Sequence, residues 1–246
     1  MFIPKTEKIK KLSEKYSKNI QELESIFDKN TYVYIDFANV IHWQDKLQWH
    51  ISVKRLKQFL ESFNTIKDIK IYYGTLENNE HSLDLIQSFN ECNYHCKTKK
   101  VKIIKKSIDV SSIDLTSIDL LKNFIKKTLL SKFTVETIKF INNELKKLNQ
   151  NGILELEDEK CNFDVEIGID MLTDYRNNNV DNFILWSGDS DFAYPIQELL
   201  LNNKKAIIFT ISRRVGPELT DTKVKVFDIR KIKNFICWNK EIRWEK

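Results

Sequence analysis

Short apolar runs alternate along this chain with stretches whose apolar positions recur every three or four residues. The runs at 31–36 (Thr-Tyr-Val-Tyr-Ile-Asp), 69–74, 93–104, 182–187, 205–210 and a short one near 224–228 read as strands. The stretches 52–63, 81–91, 163–178 and 191–202 read as amphipathic helices between them, and 5–28 as one more ahead of the first strand. This alternation predicts an α/β fold, a parallel sheet with helices on both faces.

Residues 107–159 break the rhythm. Leu120-Leu121-x-x-Phe124-Ile125-x-x-x-Leu129 and Val135-x-x-Ile138-x-x-Ile141-x-x-x-Leu145 have helical spacing, Asn151-Gly152 ends the second helix, and Ile153–Leu156 reads as a short strand. The expected organisation is an N-terminal helix (1–30), a discontinuous α/β domain (31–106 and 160–246) and a helical insertion (107–159). The apolar stripes of the insertion need a surface, and a substrate-guiding cap, a homodimer contact and a protein-partner module are all open.

Acidic residues fall where the strands end. Ser187-Gly188-Asp189-Ser190-Asp191-Phe192 follows the apolar run Phe183-Ile184-Leu185-Trp186, so two carboxylates two residues apart stand at a strand's carboxyl end. Open α/β sheets build ligand sites there. Like charges that close are costly without a cation, and a divalent ion such as Mg²⁺ or Mn²⁺ prefers oxygen ligands. Asp36, followed by Phe37-Ala38-Asn39, stands at the end of the first strand. In Cys161–Leu172, Val165, Ile169 and Leu172 recur at helical spacing with Asp164 in the first turn. Asp164 and Asp170 are six residues apart, roughly 240° around a helix, so both cannot point at one ion. The plainer roles for these acids are helix caps at Asp189 or Ser190, a turn at Asp36 and a solvated face at Glu166.

Asp36-x-x-Asn39, Lys160 ahead of Asp164 with Asp170 six residues on, and Ser-Gly-Asp-Ser-Asp-Phe, in that order, resemble the NYN domain, a PIN-like family that includes the LabA-type bacterial proteins. The resemblance spans 31–100 and 160–230. The family's Lys-Gly-Val-Asp is here Lys160-Cys161-Asn162-Phe163-Asp164, one residue longer and without the glycine. The resemblance implies a PIN-like, Rossmannoid sheet of order 3-2-1-4-5 and a metal-dependent nuclease acting most often on RNA. By the same resemblance, Asp36, Asp164 and Asp189 would be the core metal-binding acids. Asp191 and Asp170 would complete the catalytic pocket, Asp191 also as a ligand, and Asn39, Ser187 and Ser190 would support or touch substrate. Phosphodiester hydrolysis needs an activated water and stabilised charge on the phosphate, and a carboxylate-held Mg²⁺ or Mn²⁺ supplies both.

The remaining composition fits this frame. Among 246 residues, 41% are hydrophobic, but no apolar run is long enough to span a membrane. The lysine-rich N-terminus has no signal-peptide core, so a cytoplasmic protein is expected. Cys92, Cys96, Cys161 and Cys237 form no disulfide framework, and Cys92-x-x-x-Cys96 lacks the further ligands a zinc site needs. Dinucleotide, P-loop and serine-hydrolase motifs are absent, and Ala38 stands where a haloacid-dehalogenase phosphatase would place its second Asp. Net charge is +5. Lys97, Lys99, Lys100, Lys102, Lys105 and Lys106 crowd one stretch, and Arg213 and Arg214 follow the strand 205–210. These cations could meet an RNA backbone, single-stranded RNA included, although lysines on an edge strand also prevent aggregation. Trp43 and Trp49 could stack on bases or pack in the core. The expectation is therefore a metal-dependent endoribonuclease. The alternatives are a nuclease acting on DNA and a catalytically inactive module that binds nucleic acid or a protein partner.

Overall fold

The structure, a computed structural model, describes residues 1–76, 79–110, 114–148, 153–177, 179–211 and 215–238. Its strands are β1 (Thr31–Asp36), β2 (Ile66–Thr75), β3 (His95–Lys100), β4 (Lys102–Asp109), β5 (Ile153–Lys160), β6 (Asn182–Trp186), β7 (Lys205–Thr210) and β8 (Lys225–Asp228). Its α-helices are α1 (Glu7–Lys15), α2 (Ser17–Ile26), α3 (Phe37–Leu47), α4 (Val53–Leu60), α5 (Glu80–Glu91), α6 (Lys127–Leu130), α7 (Val135–Lys147), α8 (Asp164–Asn177), α9 (Ala193–Leu201), α10 (Pro217–Asp221) and α11 (Lys233–Ile236). None of them is long and apolar enough to cross a membrane.

The chain divides into two compact units, one of Met1–Lys100 with Cys161–Lys246 and one of Val101–Lys160. The first holds a six-stranded sheet of order β3-β2-β1-β6-β7-β8, every pair parallel. The α/β class is as the sequence predicts, and the strand order differs in detail. The strands numbered 4 and 5 lie outside the sheet, and β8 extends it at one edge.

Strand alternation builds two cores. Val33 and Ile35 of β1, Ile184 and Trp186 of β6, and Ile207 and Phe209 of β7 face one layer, packed with Ile20 and Leu23 of α2, Phe59 of α4 and Phe235 of α11. Tyr34, Phe183, Leu185, Ala206 and Ile208 face the other, packed with Ile167 and Met171 of α8 and Ile196 and Leu199 of α9. Both faces are covered, which is why these strands read as unbroken apolar runs. Sequence neighbours β1 and β2 run to one side of the sheet, and β6 and β7 to the other. The crevice between β1 and β6 is therefore the topological switch point, where open α/β sheets place ligands.

Several expected elements change. The 5–28 helix is two helices, broken at Tyr16. β1 passes directly into α3, a helix that the apolar spacing does not predict, with Asp36 as its N-cap. The strand expected at 93–104 ends at Lys100, and Lys102–Asp109 is a separate strand in the second unit. There β4 pairs antiparallel with β5, with Lys105 opposite Glu157 and Ser107 opposite Glu155. A lysine-rich strand thus lies along an acidic one, and Lys105 and Glu157 form an ion pair of 2.9 Å. The helix expected from Leu120 is a 3₁₀ turn (Leu121–Asn123) and the short α6, whereas α7 forms as expected. Leu121, Leu130 and Ile138 meet in a small core, so the apolar spacing is met without a continuous helix. The Asn142 amide donates to the carbonyls of Leu115 and Ser117 at 2.8 Å each, holding that irregular backbone. Trp43 and Trp49 are core residues, 3% and 7% exposed, which removes them as base-stacking groups.

Candidate functional site

The register Ile35↔Trp186 brings Asp36 and Ser187 out side by side at the ends of β1 and β6. Asp36 is buried, and its carboxylate accepts from the Asn39 amide group and, at 3.5 Å, from the Asn39 backbone N–H. The Asn39 Nδ2 also donates to Ser187 Oγ at 2.9 Å, joining the two strand ends. Ser187 is fully buried, and its hydroxyl accepts from the Asp189 N–H at 3.3 Å. Asn39 and Ser187 thus position acids from inside the turn.

Beyond that turn the chain winds tightly. Asp189 caps a 3₁₀ turn (Ser190–Phe192) by accepting from the Asp191 N–H at 3.3 Å. Phe192, fully buried, anchors the turn in the core. At the start of α8, Asn162 Oδ1 accepts from the Asp164 N–H at 2.7 Å. The result is a cluster in which one carboxylate oxygen each from Asp164, Asp189 and Asp191 lie within 4.8 Å of one another. Among the described residues no lysine or arginine forms an ion pair with these three or with Asp36.

The electrostatics record that crowding. Burial, opposed by the Asn162 hydrogen bond and reinforced by the charges of Asp189, Asp36 and Asp191, pushes the Asp164 carboxyl up to about 6. Burial also raises Asp36, against its bonds from Asn39, with Asp189 adding to the rise. Asp36 is therefore close enough to feel the cluster, although its own oxygens are engaged by Asn39. An all-carboxylate donor set without described counter-cations fits a hard divalent ion that takes oxygen ligands.

Asp170 belongs to a different arrangement. It accepts from Lys97 at 2.8 Å and from the Tyr72 hydroxyl at 2.6 Å. Burial opposes ionisation there, yet the Lys97 and Tyr72 hydrogen bonds hold Asp170 below the ordinary carboxylate value. One turn earlier on α8, Glu166 pairs with Lys99 at 2.6 Å and is likewise lowered, chiefly by that bond. Two of the β3 lysines thus tie that strand to α8. Lys100 is exposed on the same strand, and Arg213 and Arg214 lie outside the described residues.

Two contacts around the acidic turn join residues distant in sequence. Ser190 hydrogen-bonds Glu218, the second residue of α10. Gly216 donates its N–H to the Gly188 carbonyl at 2.9 Å, and a Cβ on Gly216 would lie 2.9 Å from both the Cβ and the amide nitrogen of Ser190. Gly216-Pro217 is legible as a chain-turning pair, but its partner, more than twenty residues away, is not. Asn162 was readable, as an Asn two residues before a helix start.

Among curated proteins none matches the chain. A solved structure of a protein of unknown function from Vibrio parahaemolyticus is similar at 14% identity and a TM-score of 0.49, over 85% of this chain and 96% of that one. The family model described as NYN domain matches residues 117–230, a span that includes Asp164, Asp170, Asp189 and Asp191 and begins after Asp36. That match is consistent with an NYN, PIN-like domain protein.

Proposed function

We propose that this protein is a metal-dependent endoribonuclease that hydrolyses RNA phosphodiester bonds with Mg²⁺ or Mn²⁺. The observation that carries the reading is the convergence of Asp164, Asp189 and Asp191 within 4.8 Å, with no described basic partner, at the switch point of a parallel sheet. These three would hold the ion, and buried Asp36 adds the fourth negative charge. A divalent ion bound there supplies an activated water and offsets charge on the phosphate. The chain's own part is positioning. Asn39 and Ser187 fix the two strand ends, Asn162 fixes the first turn of α8, and Gly216 and Glu218 hold the turn carrying Asp189 and Asp191. Lys97, Lys99 and Lys100, with Arg213 and Arg214, are the cations proposed to meet the RNA backbone. Four free cysteines suit a reducing compartment such as the cytoplasm.

The test is cleavage of end-labelled single-stranded RNA and matched DNA with Mn²⁺, Mg²⁺ or EDTA, by wild type and Asp189→Asn. Internal cuts in RNA that need the ion and fall at least 100-fold in the variant are expected. Wild-type cleavage by Asp189→Asn would falsify the assignment, cuts in DNA alone would move it to a deoxyribonuclease, and binding without turnover would make the protein a recognition module.

A further inference from the structure

Helix α8 carries two apolar stripes. Phe163, Ile167 and Met171 are buried against the sheet. Val165 and Ile169 point away from it, 70% and 58% exposed, with Leu172 half-buried on the same side. Core packing accounts for Leu172 but not for Val165 and Ile169. This second stripe lines a cleft of about 560 Å³ with Tyr194 and Pro195 of α9, and Asp164 and Asp191 of the acidic cluster line the same cleft. The volume lies within the roughly 300–1,000 Å³ of small-molecule sites. Tyr194 is 71% exposed, follows Asp191 by three residues and lines the same cleft.

We propose that the cleft between α8 and α9 is a base-binding subsite, in which Tyr194 stacks on an unpaired nucleobase adjoining the phosphate handled by Asp164, Asp189 and Asp191. The proposal rests on the nuclease reading above. An occupant must offer a flat apolar face to Val165, Ile169 and Tyr194. A few ångströms away it must also carry a group suited to a cation held by carboxylates. A nucleotide joins those two chemistries in one residue, whereas a lipid chain or an apolar helix face would strand Asp164 and Asp191 against hydrocarbon. Lys99, held over the Phe163 ring at 4.6 Å and paired with Glu166, stands at the rim within reach of a sugar-phosphate chain. A base paired in a duplex has its faces covered by its neighbours, so the subsite selects single strands.

The experiment mixes wild type, Tyr194→Ala, Tyr194→Phe and Ile169→Ser with a single-stranded oligoribonucleotide carrying 2-aminopurine, in Mn²⁺. Fluorescence and affinity are read by rapid mixing before turnover, and the same sequence as a duplex serves as comparison. Tyr194 is exposed, so the variants should melt as wild type does. Wild type and Tyr194→Phe are expected to quench the probe. Tyr194→Ala should lose the quench and bind about 5-fold or more weakly, Ile169→Ser should weaken binding in the same direction, and duplex affinity should not change. Quenching that depends on Tyr194 in a protein that cuts nothing would keep the subsite and remove the nuclease. Cleavage by wild type with unaltered quench and affinity in both Tyr194→Ala and Ile169→Ser would remove the subsite and keep the nuclease. A self-associated wild type that Tyr194→Ala or Ile169→Ser converts to monomer, with quench unchanged, would assign the stripe to a second copy and overturn the proposal.

Discussion

The acids of this site differ by their partners more than by their position in sequence. Asp170 and Glu166 each accept from a lysine and are lowered, whereas Asp36 and Asp164 have only amide donors and are raised. For Asp164 the folded-state value of about 6 exceeds the ordinary 3.8. Its protonated form therefore stabilises the ion-free fold below about pH 3.8, and that contribution is lost as pH rises through about 6. A divalent ion binds the ionised carboxyl, so its effect runs the opposite way. Thermal melts with and without Mn²⁺ should show a small rise in Tm at pH 5 and a larger one at pH 8. Equal rises at both would place the ion away from Asp164.

At the level of elements, the acidic turn is held by α10. Gly216 lies too close to Ser190 to tolerate a Cβ, so Gly216→Ala must displace the backbone beside Asp189 and Asp191. Overpacking of this kind costs about 1–3 kcal/mol. Urea denaturation should show a loss of that size, together with weaker Mn²⁺ binding than in wild type. An unchanged midpoint and ion affinity would show that the turn can shift at no cost. The central strands were legible because β1, β6 and β7 are buried on both faces and their sequences are apolar throughout. Strand-end placement of Asp36 and Asp189 followed from the same runs. What escaped were features set by distant chain. Nothing in Lys97–Lys106 marks the exit at Val101, because three lysines crowd each of β3 and β4. The pairing of Lys97 with Asp170 likewise depends on β3 lying within reach of α8. The stripe Val165-Ile169-Leu172 read as an ordinary apolar helix face, whereas the buried face is built from Phe163, Ile167 and Met171.

For the whole molecule, the two units rest on cores of different size. Unit 2 centres on Leu121, Leu130 and Ile138, while the sheet unit has an extensive core on each face. Native-state hydrogen exchange should therefore find the amides of α7 opening at lower free energy than those of β1 and β6. Equal protection in the two would mean that the chain opens as one cooperative body.

The sheet unit is also assembled from two separated halves of the chain, Asp36 arriving with the first and Asp164, Asp189 and Asp191 with the second. During synthesis at about 5–20 residues per second, the first acid waits about eight to thirty seconds for the last of its companions. Throughout that interval the ribosome holds a chain that cannot gather an ion. Under the proposed function, a growing polypeptide is thereby kept from cutting the message that encodes it.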